Sequence, residues 1–266
     1  MADSAAIAIA AHPDDIEFSM AGTLCLLREA GFQTHYLTIS SGSCGSMVHR
    51  PSALRAIRRR EAKAAAAVLG ASFHESRTDD FEILYTLPLL RWLTEIIRTV
   101  RPSIVLTHSP QDYMEDHVNT SRLAVTAAFA RGVPNFAAHG HAPICAEDLA
   151  IYHAMPVGLC DNLRRHVMPG AFINVLSVHK KKLAALACHQ SQRDWLQATR
   201  GMDSLAHDMV KRECAVGRMS RQFRLAEGWR RHSHMGFGQP DADPLKHALR
   251  EKMLLNRDYE RGLAKG

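Results

Sequence analysis

The sequence predicts an α/β fold built on a mostly parallel sheet, and three observations carry that prediction. A short apolar run, "AIAIAA" at residues 6–11, stops on the polar cluster His12, Pro13, Asp14 and Asp15. Amphipathic stretches that close on glycine or proline follow it. Further short apolar runs alternate with them as far as Met155. Strand, helix and strand in that order form the βαβ unit of a parallel sheet, whose ligands collect at the carboxyl ends of the strands. His12 to Asp15 would stand at such an end.

Taken in order, Ala5 to Ala11 holds two β-branched isoleucines and has a length that suits a strand covered on both faces. Residues 17–31 carry Phe18, Met20, Leu24, Leu27 and Ala30 at helical spacing and stop at Gly31, a C-terminal cap. "THYLTIS" is a second strand. The alanine-rich stretch 52–70 is a long helix with Leu54, Ile57, Ala64, Val68 and Leu69 on its apolar side and Gly70 at its end. A helix over 87–102 must stop near Pro102 and feeds a buried strand in "SIVLTHSP". "EDHVNTSRLAVTAAFARG" then has an acidic first turn and an apolar side of Leu123, Val125, Ala128 and Phe129, and "EDLAIYHAM" supplies one more strand. From Val178 onward helices are expected over 179–198, 204–217 and 244–262, with long loops at 131–143 and 218–240. The chain is read as one domain over 1–266, with 178–266 a mainly helical C-terminal extension of it.

At 266 residues, 46% hydrophobic and 23% charged, the chain can bury a sizeable core. No apolar stretch approaches the ~20 residues of a membrane span, and no basic region precedes the first apolar residues, so a secretory leader is not expected. Six cysteines without a C-x-x-C pair imply reduced thiols and a cytoplasmic protein. The net charge of +6 gathers in "RAIRRREAK", "HKKK" and "GWRRHSH". With no nucleic-acid motif or aromatic stacking pattern beside them, these segments are read as solvated helix faces rather than a nucleic-acid surface.

His12 and Asp15, two residues apart in a turn after a strand, can bring an imidazole nitrogen and a carboxylate oxygen to one point. "HSPQDYMEDH", after a later strand, offers a third ligand. Two histidines and one carboxylate, with a fourth position open to water, form a catalytic zinc set. Zinc lowers the pKa of bound water to ~7 and polarises a carbonyl. A second acid beside it can take a proton from that water and return it to a leaving amine, and Asp14 is placed for this. The competing interpretation makes Asp14 and Glu17 a capping box and Pro13 a strand stopper. A second cluster of Asp112, Asp116 and His117 after another predicted buried strand favours the metal. His139 and His141 have metal-like spacing but no evident third partner. Cys44, in the glycine-rich "SGSCGS", is placed to line a pocket, with no histidine to make it a nucleophile.

"AHPDDIEFSMAGTL" closely resembles the A-H-P-D-D-x-E-x-x-x-x-G-T signature of the LmbE-like, or PIG-L, N-acetylglucosaminyl deacetylases. "RRREAKAAAAVLG" resembles that family's R-x-x-E helix, "SPQDYMEDH" its D-x-H-P-D-H segment and "KKLAALACHQSQ" its K-x-x-A-L-x-x-H-x-S-Q helix, in the same order along the chain. The resemblance implies a Rossmann-like three-layer α/β fold with a mostly parallel central sheet and a helical C-terminal part. It implies His12, Asp15 and His117 as ligands of Zn2+, with another divalent metal as the alternative, and Asp14 as general base. The implied substrate is a small N-acetylated amino sugar or conjugate, hydrolysed to acetate and a free amine, and a homo-oligomer is compatible with it. Arg58 falls on the family arginine as a substrate contact, against the alternative of a solvent-facing arginine like Arg55, Arg59 and Arg60.

The second segment departs from the family pattern, with Met114 and Glu115 where many relatives have His-Pro. In those relatives the histidine is held by the following aspartate, here Asp116 in a supporting role, and helps to stabilise the oxyanion. A thioether cannot donate a hydrogen bond, and loss of one oxyanion donor can cost ~100-fold in rate. Tyr113, His189 and Arg122 are the candidate replacements. A zinc amidase for a non-sugar N-acyl amine, and a metal- or nucleotide-binding protein without hydrolase activity, are the alternative functions. Specificity is assigned to loops 41–52, 131–143 and 218–240.

Overall fold

The computed structural model describes residues 4–200 and 205–263; Ser204, the expected start of the helix over 204–217, lies outside the described residues. The first half runs β1 (Ala5–Ala10), α1 (Asp15–Ser19), α2 (Ala21–Glu29), β2 (Gln33–Thr38), α3 (Pro51–Leu69), β3 (Ser72–His74), α4 (Leu87–Val100), β4 (Ile104–Thr107), α5 (Glu115–Ala130) and β5 (Ala150–Ala154). The second half runs β6 (Ala171–Asn174), α6 (His179–Leu186), α7 (Gln190–Arg200), α8 (Leu205–Ser220), β7 (Ala226–Arg231), α9 (Pro244–Leu249), β8 (Met253–Leu255) and α10 (Arg257–Leu263). The strands form one eight-stranded sheet in the order β3-β2-β1-β4-β5-β7-β6-β8. β3 to β5 are parallel, whereas β7 pairs antiparallel with both β5 and β6, and β8 antiparallel with β6.

The alternation within β1 divides the core into two halves. Ala6, Ala8 and Ala10 face a cluster with Leu24 of α2, Ala62 of α3 and Ala185 of α6, while Ile7 and Ile9 face Leu93 and Ile97 of α4 and Leu123 and Ala127 of α5. Helices cover both faces of the sheet, giving three layers. β1 and β4 are central and adjacent, with Ile9 opposite Thr107, so both chain segments that leave their carboxyl ends arrive at one place. No helix among the described residues is long and apolar enough to cross a membrane.

Three expectations are corrected. The helix over 17–31 is two helices, because Met20 (φ −134°, ψ −21°) leaves helical geometry between α1 and α2. The capping box does not form: Asp14 sits at the N-cap with φ +100° and its side chain makes no capping bond, while the Glu17 carboxylate accepts from the Tyr36 hydroxyl at 3.2 Å. Within the mainly helical part after residue 178, the expected loop and last helix change. β7 rises out of the expected loop 218–240 to pair between β5 and β6, and the expected helix over 244–262 is broken by Arg250 (φ +48°) and contains β8.

β7 also accounts for a buried charge network. Glu227 accepts from the backbone N–H groups of Gly22 and Thr23 at 2.8 Å each and from the Thr23 hydroxyl at 2.6 Å, capping α2. Lys182 of α6 is fully buried between Glu227 (2.6 Å) and Glu213 (2.7 Å). One lysine of "HKKK" is therefore a core group rather than part of a solvated face. Gly22 has no room for a side chain, since a Cβ would lie 2.5 Å from Val175 and 2.8 Å from Glu227, which gives the glycine of "AGTL" its physical reason.

Candidate functional site

The polar turn after β1 and the start of α5 after β4 supply the same cluster. One ligand atom each from His12, Asp15 and His117 lies within 4.8 Å of the others. The turn folds back on itself: the His12 N–H donates to Asp15 Oδ2 at 2.8 Å, and the Asp15 N–H to the His12 carbonyl at 3.2 Å. That turn puts Asp14 in the left-handed region at φ +100°, where a non-glycine residue is strained.

Each histidine presents one nitrogen to the cluster and gives the other to a carboxylate. His12 Nδ1 lies 3.3 Å from Asp15 Oδ2, while its Nε2–H donates to Asp116 Oδ2 at 2.9 Å. His117 Nε2 lies 3.5 Å from Asp15 Oδ1, while its Nδ1–H donates to Asp112 Oδ1 at 3.1 Å. Ionised carboxylates only accept, so in the neutral rings Asp116 and Asp112 hold the proton on the outward nitrogen and leave the cluster-facing nitrogen able to ligate a metal, as in carboxylate–histidine–metal arrangements. Asp116 also accepts from the Phe81 N–H at 2.8 Å, and Asp112 from the Val157 N–H at 3.1 Å.

The electrostatics fit a cation. Burial opposes protonation of both histidines, yet hydrogen bonds to Asp116 and Asp15 raise His12 to about 9. Asp15 and Asp112 raise His117 to about 10. Burial would push the Asp15 carboxyl up, but His117 and His108 bring it well below its ordinary value. The donor set thus draws positive charge to the point where the three ligand atoms converge. A zinc-type set of two nitrogens and one oxygen matches that demand.

Asp14 lies beside the cluster, 7% exposed. Burial pushes its carboxyl up to about 6, a rise that Arg58 moderates and Asp15 reinforces. Arg58 is buried, unlike its exposed neighbours Arg55, Arg59 and Arg60, because it lies on the face of α3 that carries Leu54, Ala62 and Leu69 inward. Its Nη2 donates to the Pro13 carbonyl at 2.6 Å and lies 3.5 Å from Asp14 Oδ2, and its Nη1 donates to Gln192. Gly42 (φ +75°) leaves the space that the guanidinium stem fills, since a Cβ there would lie 2.4 Å from Arg58 Nε.

A cavity of about 520 Å³ opens over the cluster, lined by His12, Asp14, Asp15, Arg58 and His117 at its floor. Tyr113, Met114 and Cys44 also line it. Tyr113 stands edge-on to His117 at 5.6 Å between ring centres. Two other candidates do not reach the lining. His189 is buried behind Asp14, 3.3 Å from Glu17, whose charge raises its pKa against the effect of burial. Arg122 is exposed on α5 with its guanidinium 5.2 Å from the centre of the Tyr85 ring, because α5 turns that position outward. His139 and His141 are exposed and join no three-ligand group among the described residues.

Sequence reasoning did not single out His108, which ends the strand "SIVLTHSP". Its ring stacks on His117 at 4.1 Å, its Nε2 accepts from the Ala11 N–H at 2.9 Å, and it lies 3.3 Å from Asp15. Burial lowers its pKa below the ordinary histidine value. Its place directly after a buried strand, five residues before Tyr113, was the available signal. Asp80 was also missed: it accepts from the Ser40 hydroxyl and the N–H groups of Gly42 and Cys44, fixing the loop that walls the cavity.

Residues 7–128 match the family model described as PIG-L, GlcNAc-PI de-N-acetylase. The chain is 29% identical over 196 residues to diacetylchitobiose deacetylase of Thermococcus kodakarensis, covering 70% of this chain and 69% of that protein. It is 28% identical over 204 residues to 4-oxalmesaconate hydratase of Pseudomonas putida, covering 73% and 77%. In structure it is similar to the N,N'-diacetylchitobiose deacetylase of Pyrococcus horikoshii, with a TM-score of 0.73, 23% identity and coverage of 91% of this chain and 88% of that one. Residues 7–128, which include both strand ends that supply the cluster, are similar to the PIG-L family.

Proposed function

We propose that the protein is a metal-dependent N-deacetylase that hydrolyses the acetamide of a small N-acetylated amino sugar or its conjugate, with zinc as the metal and another divalent ion as the alternative. The observation that carries this reading is the convergence of His12, Asp15 and His117 within 4.8 Å at the floor of a cavity that buried Asp14 also lines. A bound zinc ion would supply Lewis acidity toward the acetamide oxygen and acidify a water.

The chain's own residues would do the rest. His12 Nδ1, an Asp15 oxygen and His117 Nε2 hold the ion, with Asp116 and Asp112 orienting the two rings. Asp14, held near neutrality by burial, takes a proton as the water oxygen bonds to the acetyl carbon. It returns the proton to the nitrogen as the C–N bond breaks, releasing acetate and an amine. Arg58 fixes the Asp14 carboxylate against the turn. Met114 lines the cavity without a donor, and Tyr113, which lines it beside His117, is the group placed to donate to the oxyanion. We read the chain as one functional domain and, from its six free cysteines, as cytoplasmic.

The test is a panel of acetamides on zinc-loaded protein, with acetate and primary amine measured together. Equal release from N-acetylglucosamine conjugates supports the reading; release only from acetylated non-sugar amines moves the assignment to an amidase. The similarity to a hydratase favours a second reading, addition of water to the double bond of an unsaturated carboxylate. Against it, Arg58 is the one arginine or lysine among the described lining residues and is already committed to Pro13, Asp14 and Gln192. Consumption of such a carboxylate without acetate release would establish it.

A further inference from the structure

We infer that the outer half of the cavity is a subsite for an uncharged, ring-bearing group attached to the acetylated sugar, and that it selects against anionic groups; this rests on the deacetylase reading. Above the cluster the walls turn aromatic: Phe81, Tyr113 and Trp195 all line the cavity. Phe81 is 70% exposed and Tyr113 65% exposed, although each is tied to the floor, Phe81 by its N–H to Asp116 and Tyr113 by its edge on His117. Large apolar rings held at a cavity mouth by backbone and ring contacts are pre-positioned faces, and stacking of a planar or sugar ring on them recovers apolar area at little entropic cost. Trp195 is set by its packing on the backbone at Gly45, where a Cβ would come within 3.2 Å of the indole.

The charges along the same walls set the sign of what fits. Asp208, in the first turn of α8, lines the cavity and has no hydrogen-bond or ion-pair partner among the described residues. Asp80 lines it as well, saturated by the loop N–H groups of Gly42 and Cys44. Arg58 is the one arginine or lysine among the described lining residues, and it is already engaged at the floor. A neutral ring can accept the aromatic faces and donate a hydroxyl to Asp208, whereas an anionic group in the outer half would meet the Asp208 carboxylate with no free lysine or arginine of the described lining to offset it.

The test compares three probes on zinc-loaded protein: N-acetylglucosamine, its phenyl glycoside and its 4-carboxyphenyl glycoside. kcat/KM is read from acetate release, and affinity from calorimetry on the Asp14→Asn protein. The phenyl glycoside is expected to exceed the free sugar about tenfold in kcat/KM, and to bind about tenfold more tightly than the carboxyphenyl glycoside. Asp208→Asn is expected to narrow that second ratio to less than about threefold. Equal or reversed binding of the two glycosides overturns the subsite, whether or not any probe is turned over. Absence of acetate from all three overturns the deacetylase reading, while the calorimetric ratio still decides the subsite.

Discussion

Asp116→Asn isolates the part of the site that the departure at Met114 leaves to explain. Its Oδ2 receives two donors at once, the His12 Nε2–H at 2.9 Å and the Phe81 N–H at 2.8 Å. An amide in its place has one accepting oxygen and an NH2 group that cannot accept, so at least one donor loses its charged partner. Substitution of an outer-shell carboxylate of this kind costs 10–100-fold in metal affinity, or about 1.4–2.7 kcal/mol. Because the same oxygen anchors Phe81 in the cavity wall, the substitution should also raise KM, which loss of metal alone would not do once zinc is saturating. The assay is competition for zinc against a chromophoric chelator, followed by kinetics at saturating zinc. Unchanged zinc affinity in a protein with wild-type melting behaviour would refute the claim that Asp116 fixes the His12 tautomer.

Four further outcomes are expected. Asp14→Asn should retain near-stoichiometric metal by elemental analysis while losing about 10²–10⁴ of turnover, since it removes the proton acceptor and no ligand; retained turnover would sink its role. His117→Ala should lose most of the metal that the wild type carries at near one zinc per chain, which the same analysis reads. His153, 4% exposed, has its pKa lowered to about 4, first by burial and then by the charges of His232 and Arg230. The unfolded chain takes up its proton near pH 6.5 and the native one only near 4, so stability from this group is intact above 6.5 and falls by about 3 kcal/mol as pH drops through that window. Denaturant melts at pH 7 and 4.5 should diverge less in His153→Gln than in the wild type. Lys182→Met leaves Glu213 and Glu227 buried without their shared cation and should cost about 3–5 kcal/mol, a melting temperature lower by about 10 °C.

The parallel half of the sheet was legible because its strands are short apolar runs between helices with clear stops, and "AIAIAAHPDD" marked the end of the central one. The antiparallel half was not. β7 reads "AEGWRR", where Glu227 is buried by serving two helix N–H groups and Lys182, a reason that lies in distant sequence. β8 is three residues inside a helix-like pattern, and pairing with β6 overrides the local preference. Helix faces were misassigned where polar groups point inward: Ala64 was expected on the buried side of α3, yet it is exposed and Arg58 is buried.

At the site, the convergence of His12, Asp15 and His117 beside Asp14 was readable because polar residues gather directly after β1 and in the segment that follows β4. Arg122 failed as a candidate through helix phase, since position 122 falls outward between buried Ser121 and Leu123. His108 escaped because a single histidine after a strand is common. Its role appears only when β1 and β4 pair and bring the Ala11 N–H to its ring. That pairing explains why Asp15 can be a ligand in a buried turn at all. The His12 N–H, which donates to Asp15 Oδ2 at 2.8 Å, offsets part of the carboxylate's desolvation, and an ion shared with His12 and His117 would offset more. The strained backbone at Asp14 is the cost of holding base and ligand in consecutive residues, one against Arg58 and the other toward the histidines.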